Sequence, residues 1–554
     1  MPTQQQLPSS RFFLILTLLF GLLWFGQLDY RKLVKPDEGR YAEISREMAV
    51  SGDWVTPRLN GLKYFEKPPM QYWATAAAYK AFGQNEWTAR LWTGLTGFAG
   101  ILLAAFAAYR LYGRETGLLT GVVLGGSFYQ LALGHINTLD MGVSFFLELA
   151  LAGFLLAHHD QASKTENRNW MMITWAAMAG AMLSKGLIGL VLPGAALVLY
   201  VLITQQWRLL ANMHWVKGLL LFSVLTAPWF VLVSQRNPEF LQFFFIHEHF
   251  QRFSTDVARR VEPWWFFLPL LVLGASPWIS WLGQSLRDGV KQQSDEHFRP
   301  ALLLVVWSVF IFVFFSLSRS KLPAYILPIM PALAILLARH LLQRNSADLR
   351  PHFMMLTLLG SILALASWIV PEIKDLSSDN TSKQMVQDYA VWIRGGTLIG
   401  VAGFASAWWF CRKQQAFNAL LATAVASAIA TSLFLCGHNS LSRSNSAYFL
   451  AEEIRSEAQE GVPFYSIKMY DQTLPFYLQR TLTLVHYRDE LDLGIRAEPD
   501  KAIETLEVFQ QRWNQDQRAL ALLKPDDYEQ FLKQNFIPMR VIARDNRRVV
   551  IAKP

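Results

Sequence analysis

The sequence predicts a polytopic α-helical membrane protein that carries a soluble α/β domain at its C-terminal end. Three observations predict it. Of the 554 residues, 52% are hydrophobic and only 17% charged, where soluble chains carry about a quarter charged residues. Apolar runs recur through residues 11–436, each about the 20 residues a helix needs to cross the hydrocarbon core. After residue 440 the runs shorten and alternate (VPFYSI, LTLVHY, RALALL, MRVIAR, RRVVIA) between amphipathic stretches such as DDYEQFLKQ. That alternation marks strands packed with helices.

Apolar runs set against turn and charge signals place spans near 11–28, 88–109, 116–134, 139–158, 169–184, 186–204 and 215–234. Further spans fall near 264–284, 301–317, 323–342, 353–371, 395–411 and 415–436, thirteen in all. The first run has Arg11 before it and no small-residue cleavage site after it, so it is expected to stay as a signal-anchor. The membrane part then covers 1–439, with structured connectors at 29–87 and 235–263, and the α/β domain covers 440–554. No internal repeat or low-complexity tract is seen. Cys411 and Cys436 lie near opposite ends of the last spans, which disfavours a disulfide.

Orientation follows from Lys and Arg in short loops. With the N-terminus inside, the inward connectors hold Arg110 and Arg114, Lys164 and Arg168, Arg208 and Lys217, and Arg287, Lys291 and Arg299. Further along they hold Arg339, Arg344 and Arg350, then Arg412 and Lys413. Every inward loop is basic, so the net charge of +9 reflects topology and not nucleic-acid binding. An odd number of spans puts the C-terminal domain outside, on the same face as the first connector.

That outer face breaks the inward bias. Its connectors hold Asp37 to Lys67, then HINTLDM with Asp140, LSKGLIG with Lys185, HEHFQRF with His247 and Arg252, and SRSKLPAYILP with Arg319, Lys321 and Tyr325. Charges at span ends are costly to desolvate, and several on one face imply a shared site. Cations converging near the hydrocarbon edge suit a phosphorylated, lipid-attached ligand, since Arg grips phosphate through two N–H groups and Lys acts as a point charge. The plain alternative is snorkelling to ordinary headgroups, an even match for Lys63 or Arg319 taken singly. It is weaker for Lys67, where Glu66-Lys67-Pro68-Pro69 fixes the backbone around the ammonium.

Asp37 and Asp140 each admit two readings. Each can cap the helix that follows, and Glu148 can be a buried packing partner. Alternatively one carboxylate orients or deprotonates a nucleophile while the cations hold a leaving phosphate. His247-Glu248-His249 is no zincin pattern, because alternate residues share no helix face. A divalent cation held by His247 and Glu66 is set against a hydrogen-bonded interfacial histidine.

The motifs D-E-G-R-Y, G-D-W-V-T-P and Y-F-E-K-P-P-M-Q-Y-W resemble integral-membrane glycosyltransferases that use polyprenyl-phosphate sugars, the GT-C class related to protein O-mannosyltransferases. With N-T-L-D-M, S-K-G, H-F-Q-R-F and S-K-L-P-A-Y-I-L-P, the chain is most similar to bacterial lipid A 4-amino-4-deoxy-L-arabinose transferases along its whole length. The resemblance implies catalytic carboxylates at Asp37 and Asp140 beside Glu38, and lipid-phosphate ligands at Lys67 and Arg252. It lines the same cavity with Arg40, Tyr64, Lys185 and Tyr325, with Lys321 and Arg319 near, and puts the metal position at Glu66 and His247. The implied reaction takes aminoarabinose from an undecaprenyl-phosphate donor to lipid A, with inversion, at the periplasmic face of the inner membrane of a bacterium. Resistance to polymyxin and other cationic peptides would follow, and the enzyme is expected to act as a monomer. Relatives that move mannose or galacturonic acid to a hydroxyl share D-E and E-K-P-P. A lipid or ion transporter would instead show repeat symmetry and polar breaks at the midplane.

Overall fold

The computed structural model describes residues 9–251, 262–291, 298–373, 376–378 and 381–554. Eight helices among them are long and apolar enough to cross a membrane: Glu86–Tyr112, Leu139–His158, Trp215–Arg236, Pro300–Leu317, Pro323–Leu342, Ser346–Glu372, Lys383–Arg412 and Ala416–Asn445. Arg11–Gly26 and Ile188–Thr204 are shorter apolar helices. Lys164–Lys185 begins with a capping box between Ser163 and Glu166, earlier than the apolar run alone suggested.

Two expected spans are broken, each for a local reason. The run at 116–134 splits into Arg114–Gly125 and Phe128–Leu133. At the break Gly126 presses on the helix Ala416–Gly437, where an added Cβ would lie 2.8 Å from the Ala424 Cα. The run at 264–284 splits into Phe267–Gly274 and Leu282–Lys291. Pro277 stands in that gap and supplies no N–H to continue a helix.

The first connector is built, not loose. Helix Asp37–Ser51 ends at Gly52, whose φ of 72° supplies the left-handed cap. Strands β1 (Arg58–Leu59) and β2 (Leu62–Lys63) then form a hairpin. Its turn is Asn60-Gly61, with φ of 56° and 76°, the pair a two-residue turn with two positive φ angles favours. Helix Met70–Phe82 starts directly after Pro69.

The C-terminal part holds a six-stranded sheet of β3 (Phe464–Ile467), β4 (Thr483–Val485), β5 (Ala502–Ile503), β6 (Leu520–Leu523), β7 (Arg540–Arg544) and β8 (Val549–Ala552). Its order is β5-β4-β3-β6-β8-β7. The first four are parallel, with crossovers through short helices, while β8 and β7 close one edge antiparallel. Strands β3, β6 and β8 are buried throughout, as strands covered on both faces must be.

This sheet domain is bolted to the first connector. Asn60 donates from Nδ2 to the Leu482 carbonyl at 2.7 Å and accepts the Leu482 N–H at 2.8 Å. Arg58 pairs with Glu498 at 2.9 Å. Gly39 lies against the Gln472 carbonyl, 2.6 Å from where a Cβ would be, so no larger residue fits there. Arg548, 1% exposed, pairs with Asp471 and donates to the Ser446 carbonyl at 2.9 and 2.8 Å, tying the last strand to the segment entering the domain.

Candidate functional site

Glu38 anchors the loop face. It is 2% exposed, and its two carboxylate oxygens accept six hydrogen bonds. Arg31 contributes two at 3.0 and 3.2 Å, and Arg90 two at 2.7 and 3.0 Å. The Val34 and Asn137 N–H groups contribute one each, both at 3.0 Å. Burial alone would raise its pKa, but the two guanidiniums reverse that and hold the carboxyl well below the usual range. A carboxylate so occupied has no lone pair to offer a substrate. Glu38, expected from the resemblance beside the catalytic carboxylates, thus sits at the junction of the first span, the first connector and the 135–139 loop with both oxygens engaged.

Asp37, one residue earlier, faces the other way. It opens its helix, but Pro36 occupies the cap position and no side chain caps. Its carboxylate instead accepts from Arg40 at 2.8 Å. The second terminal nitrogen of Arg40 lies 2.5 Å from Glu490 of the C-terminal domain. Tyr64 lies in the same electrostatic field, with Arg40, Glu66 and Glu490 as neighbours. Burial, with the Glu66 and Glu490 carboxylates, pushes its phenol well up, so it stays a neutral donor. Its buried hydroxyl makes no hydrogen bond among the described residues. Lys67 is half-buried beside it in sequence, donating to the Glu66 carbonyl at 2.7 Å.

Asp140 does not cap its helix either, since Leu139–His158 is preceded by Thr138 in the cap position. It pairs with Lys185, at the end of the antiparallel helix Lys164–Lys185. The Lys185 ammonium sits 4.5 Å above the Tyr325 ring, a cation–π contact. Leu139 packs in one cluster with Tyr41, Tyr64 and Tyr72. Asn137 joins Glu38 to Gln71, whose Nε2 donates to Asn137 Oδ1 at 2.8 Å. Asp140, Lys185 and Tyr325 thus belong to the same end of the bundle as Asp37, Arg40 and Tyr64.

Other expected ligands fare differently. Lys321 is buried and donates to the backbone carbonyls of Ser318 and Glu262 at 2.5 and 2.9 Å, bracing its own turn. Arg319 is exposed. Lys63 pairs with Glu239 at 2.8 Å and holds the hairpin to the segment after Trp215–Arg236. His247 falls in the helical stretch Gln242–Gln251, but its side chain and all of Arg252 lie outside the described residues. Among the described residues no three His, Cys, Asp or Glu side chains are grouped so as to hold a metal ion.

Three partners escaped sequence reasoning. Arg90 carried a signal, a charge inside an apolar run. Arg31, just past the first span, could not be told from an interfacial anchor. Glu490 gave none, because it reaches Arg40 from 450 positions away in the sequence, across the domain contact.

Residues 9–244 match the family of dolichyl-phosphate-mannose-protein mannosyltransferases, and 450–553 match the aminoarabinose transferase C-terminal domain. The chain is 32% identical over 428 residues to an undecaprenyl phosphate-alpha-4-amino-4-deoxy-L-arabinose arabinosyl transferase of Erwinia tasmaniensis, covering 75% of this chain and 76% of that one. A transferase of the same name from Pseudomonas aeruginosa is 35% identical over 359 residues, 64% of each chain. The structure is similar to ArnT from Cupriavidus metallidurans bound to undecaprenyl phosphate, with a TM-score of 0.93 and 38% identity over 98% of both chains.

Proposed function

The chain belongs to the undecaprenyl phosphate aminoarabinose arabinosyl transferases, and from that membership we propose that it moves 4-amino-4-deoxy-L-arabinose to a lipid A phosphate at the periplasmic face. It is a multi-pass, polyprenyl-phosphate-dependent glycosyltransferase. The observation that carries the reading is the likeness over 98% of its length to a relative that holds undecaprenyl phosphate. The cluster of cations and aromatics at one end of the bundle supports it.

In the proposed reaction an acceptor phosphate oxygen attacks the anomeric carbon, and the bond from that carbon to the donor phosphate breaks with inversion. Negative charge then grows on the departing lipid phosphate. Lys67 and Arg252 stabilise it, an electrostatic contribution realised only as the bond breaks. The neutral Tyr64 hydroxyl donates to a donor oxygen. A phosphate monoester has a second pKa of about 6, so the acceptor is already substantially ionised and needs no strong base. Asp37, turned from the cap position to Arg40, orients the acceptor or holds the sugar's amino group, and Asp140 fixes Lys185 over Tyr325. In this reading the membrane part ends near residue 440, between the helix Ala416–Gly437 and the short helix Ser442–Asn445 that continues the candidate span. Mass spectrometry of lipid A from cells with and without the protein tests the function. A pentosamine-sized mass gain that requires the protein is expected, and identical lipid A in both would overturn the assignment.

A further inference from the structure

Helix Leu139–His158 has 20 residues, so Asp140 and His158 stand about 27 Å apart at opposite ends of the bundle. At the His158 end the segments 157–167 and 205–214, with Phe298, line an open cavity of about 1090 Å3 that the transfer reaction does not use. Its floor is built from ordered polar groups. His158, 8% exposed, donates from Nδ1 to the Phe154 carbonyl at 3.0 Å, and its buried Nε2 makes no well-formed hydrogen bond, although the Leu209 backbone is near. Asn167 donates to the Ala157 carbonyl and accepts from His214 Nε2, both at 2.9 Å. Lys164 and Arg208 stand exposed at the walls, against one lining carboxylate among the described residues, Asp160. The nearby Glu166 is committed elsewhere, to Arg110 at 3.0 Å and to the Ser163 N–H.

The rim shows which solvent meets this cavity. Leu202 and Ile203 on one side and Val216 and Leu220 on the other are 48–84% exposed, faces suited only to hydrocarbon. Trp207 and Trp215, also half exposed, lie between them, as aromatic residues do at headgroup level. A basic, partly buried polar cavity that opens at headgroup depth between spanning helices meets phosphate esters before any other anion.

We propose that this cavity binds the headgroup of an anionic phospholipid, with Lys164 and Arg208 on the phosphate and His158 and His214 below it. The inference rests on the membrane-spanning fold and not on the transferase reading, so the two fail separately. In the test, delipidated full-length protein in detergent is titrated with dioctanoyl phosphatidylglycerol, dioctanoyl phosphatidylcholine or inorganic phosphate, and bound mass is read by native mass spectrometry. Phosphatidylglycerol is expected to be retained most strongly. Lys164→Ala and Arg208→Ala should each weaken it about fivefold, the worth of one basic residue at a membrane surface. Lys413→Ala, on a connector with no residue in the lining, should not. Equal retention of phosphatidylcholine, equal binding of free phosphate, or equal loss in Lys413→Ala would each overturn the proposal.

Discussion

The Arg90 guanidinium grips the Glu38 carboxylate edge to edge, Nε 2.7 Å from Oε1 and NH2 3.0 Å from Oε2. Both residues are almost fully buried, 52 positions apart, where the first connector meets the second apolar helix. Removing one partner of such a pair strands the other charge and costs about 3–5 kcal/mol. Glu38→Gln is therefore expected to lose folded protein and activity together, and Arg90→Lys to lose both because an ammonium lacks the planar fork. The depressed Glu38 pKa makes this stabilisation complete above its usual value of 4.5, with loss only as pH falls below it. A Glu38→Gln protein with normal thermal stability and no turnover would restore it to the reacting groups.

Lys67 should behave in the opposite way. It is half-buried and donates to the neighbouring Glu66 carbonyl at 2.7 Å, at the face where the donor phosphate is proposed to lie. Losing a contact made to transition-state charge typically costs about 10²-fold or more in rate. Lys67→Ala and Arg252→Ala are expected to show that loss at unchanged melting temperature. Arg339→Ala, in an inward connector where its guanidinium lies 4.1 Å over the Tyr112 ring, should retain near-normal turnover. Activity falling in step with stability would remove Lys67 from the site.

Glu47 makes a pH prediction of reversed sign. Burial, reinforced by Glu43, pushes its carboxyl up to about 8, while Oε2 accepts the Gly61 N–H at 2.8 Å. Between its usual 4.5 and about 8 the folded chain holds a proton that the unfolded chain has released. Stability from this group is thus full at low pH and falls as pH rises through that window. Glu47→Gln mimics the protonated form and should raise the melting temperature more at about pH 9 than at about pH 5. Equal shifts at both would count against a protonated Glu47.

The spans that hydropathy dictates were legible in the sequence, and the details set by turn chemistry and contact were not. Asn60-Gly61, Gly52 and the capping box at Ser163 each answer a backbone need within a few residues, but apolar runs do not reveal them, so the helix from Lys164 is expected only from 169. The breaks at Gly126 and Pro277 hide inside apolar runs that read as continuous spans. Asp37 and Glu38 are adjacent and chemically alike, yet one faces Arg40 and the other a cage of six donors. Only the packing of Arg31, Arg90 and the 135–139 loop separates them. Glu490 could not be placed, since its partner lies in another domain.

Topology is tested by reporters. The basic connectors predict that a periplasm-dependent reporter is active when fused after residue 440 and inactive when fused near residue 290. The reverse result would move the Asp37 to Lys67 loop, and the proposed acceptor with it, to the other side of the membrane.

The acceptor decides between the proposed reaction and its hydroxyl-directed relatives. If the nucleophile is a lipid A phosphate, the product gains a pentose amine and loses net negative charge at that position. Stripping the phosphates beforehand, with the sugar hydroxyls intact, should then abolish transfer. An enzyme that glycosylates hydroxyls would still act on the stripped lipid. It would also need Asp37 as a base, because a hydroxyl, unlike a phosphate with a second pKa of about 6, is not ionised at neutral pH. Asp37 is already engaged by Arg40 at 2.8 Å, so it would have to leave that contact to take a hydroxyl proton. Matched phosphorylated and dephosphorylated lipid A, assayed in membranes and read by mass, should therefore give product only from the former. Equal labelling of both would move the assignment to the hydroxyl acceptors.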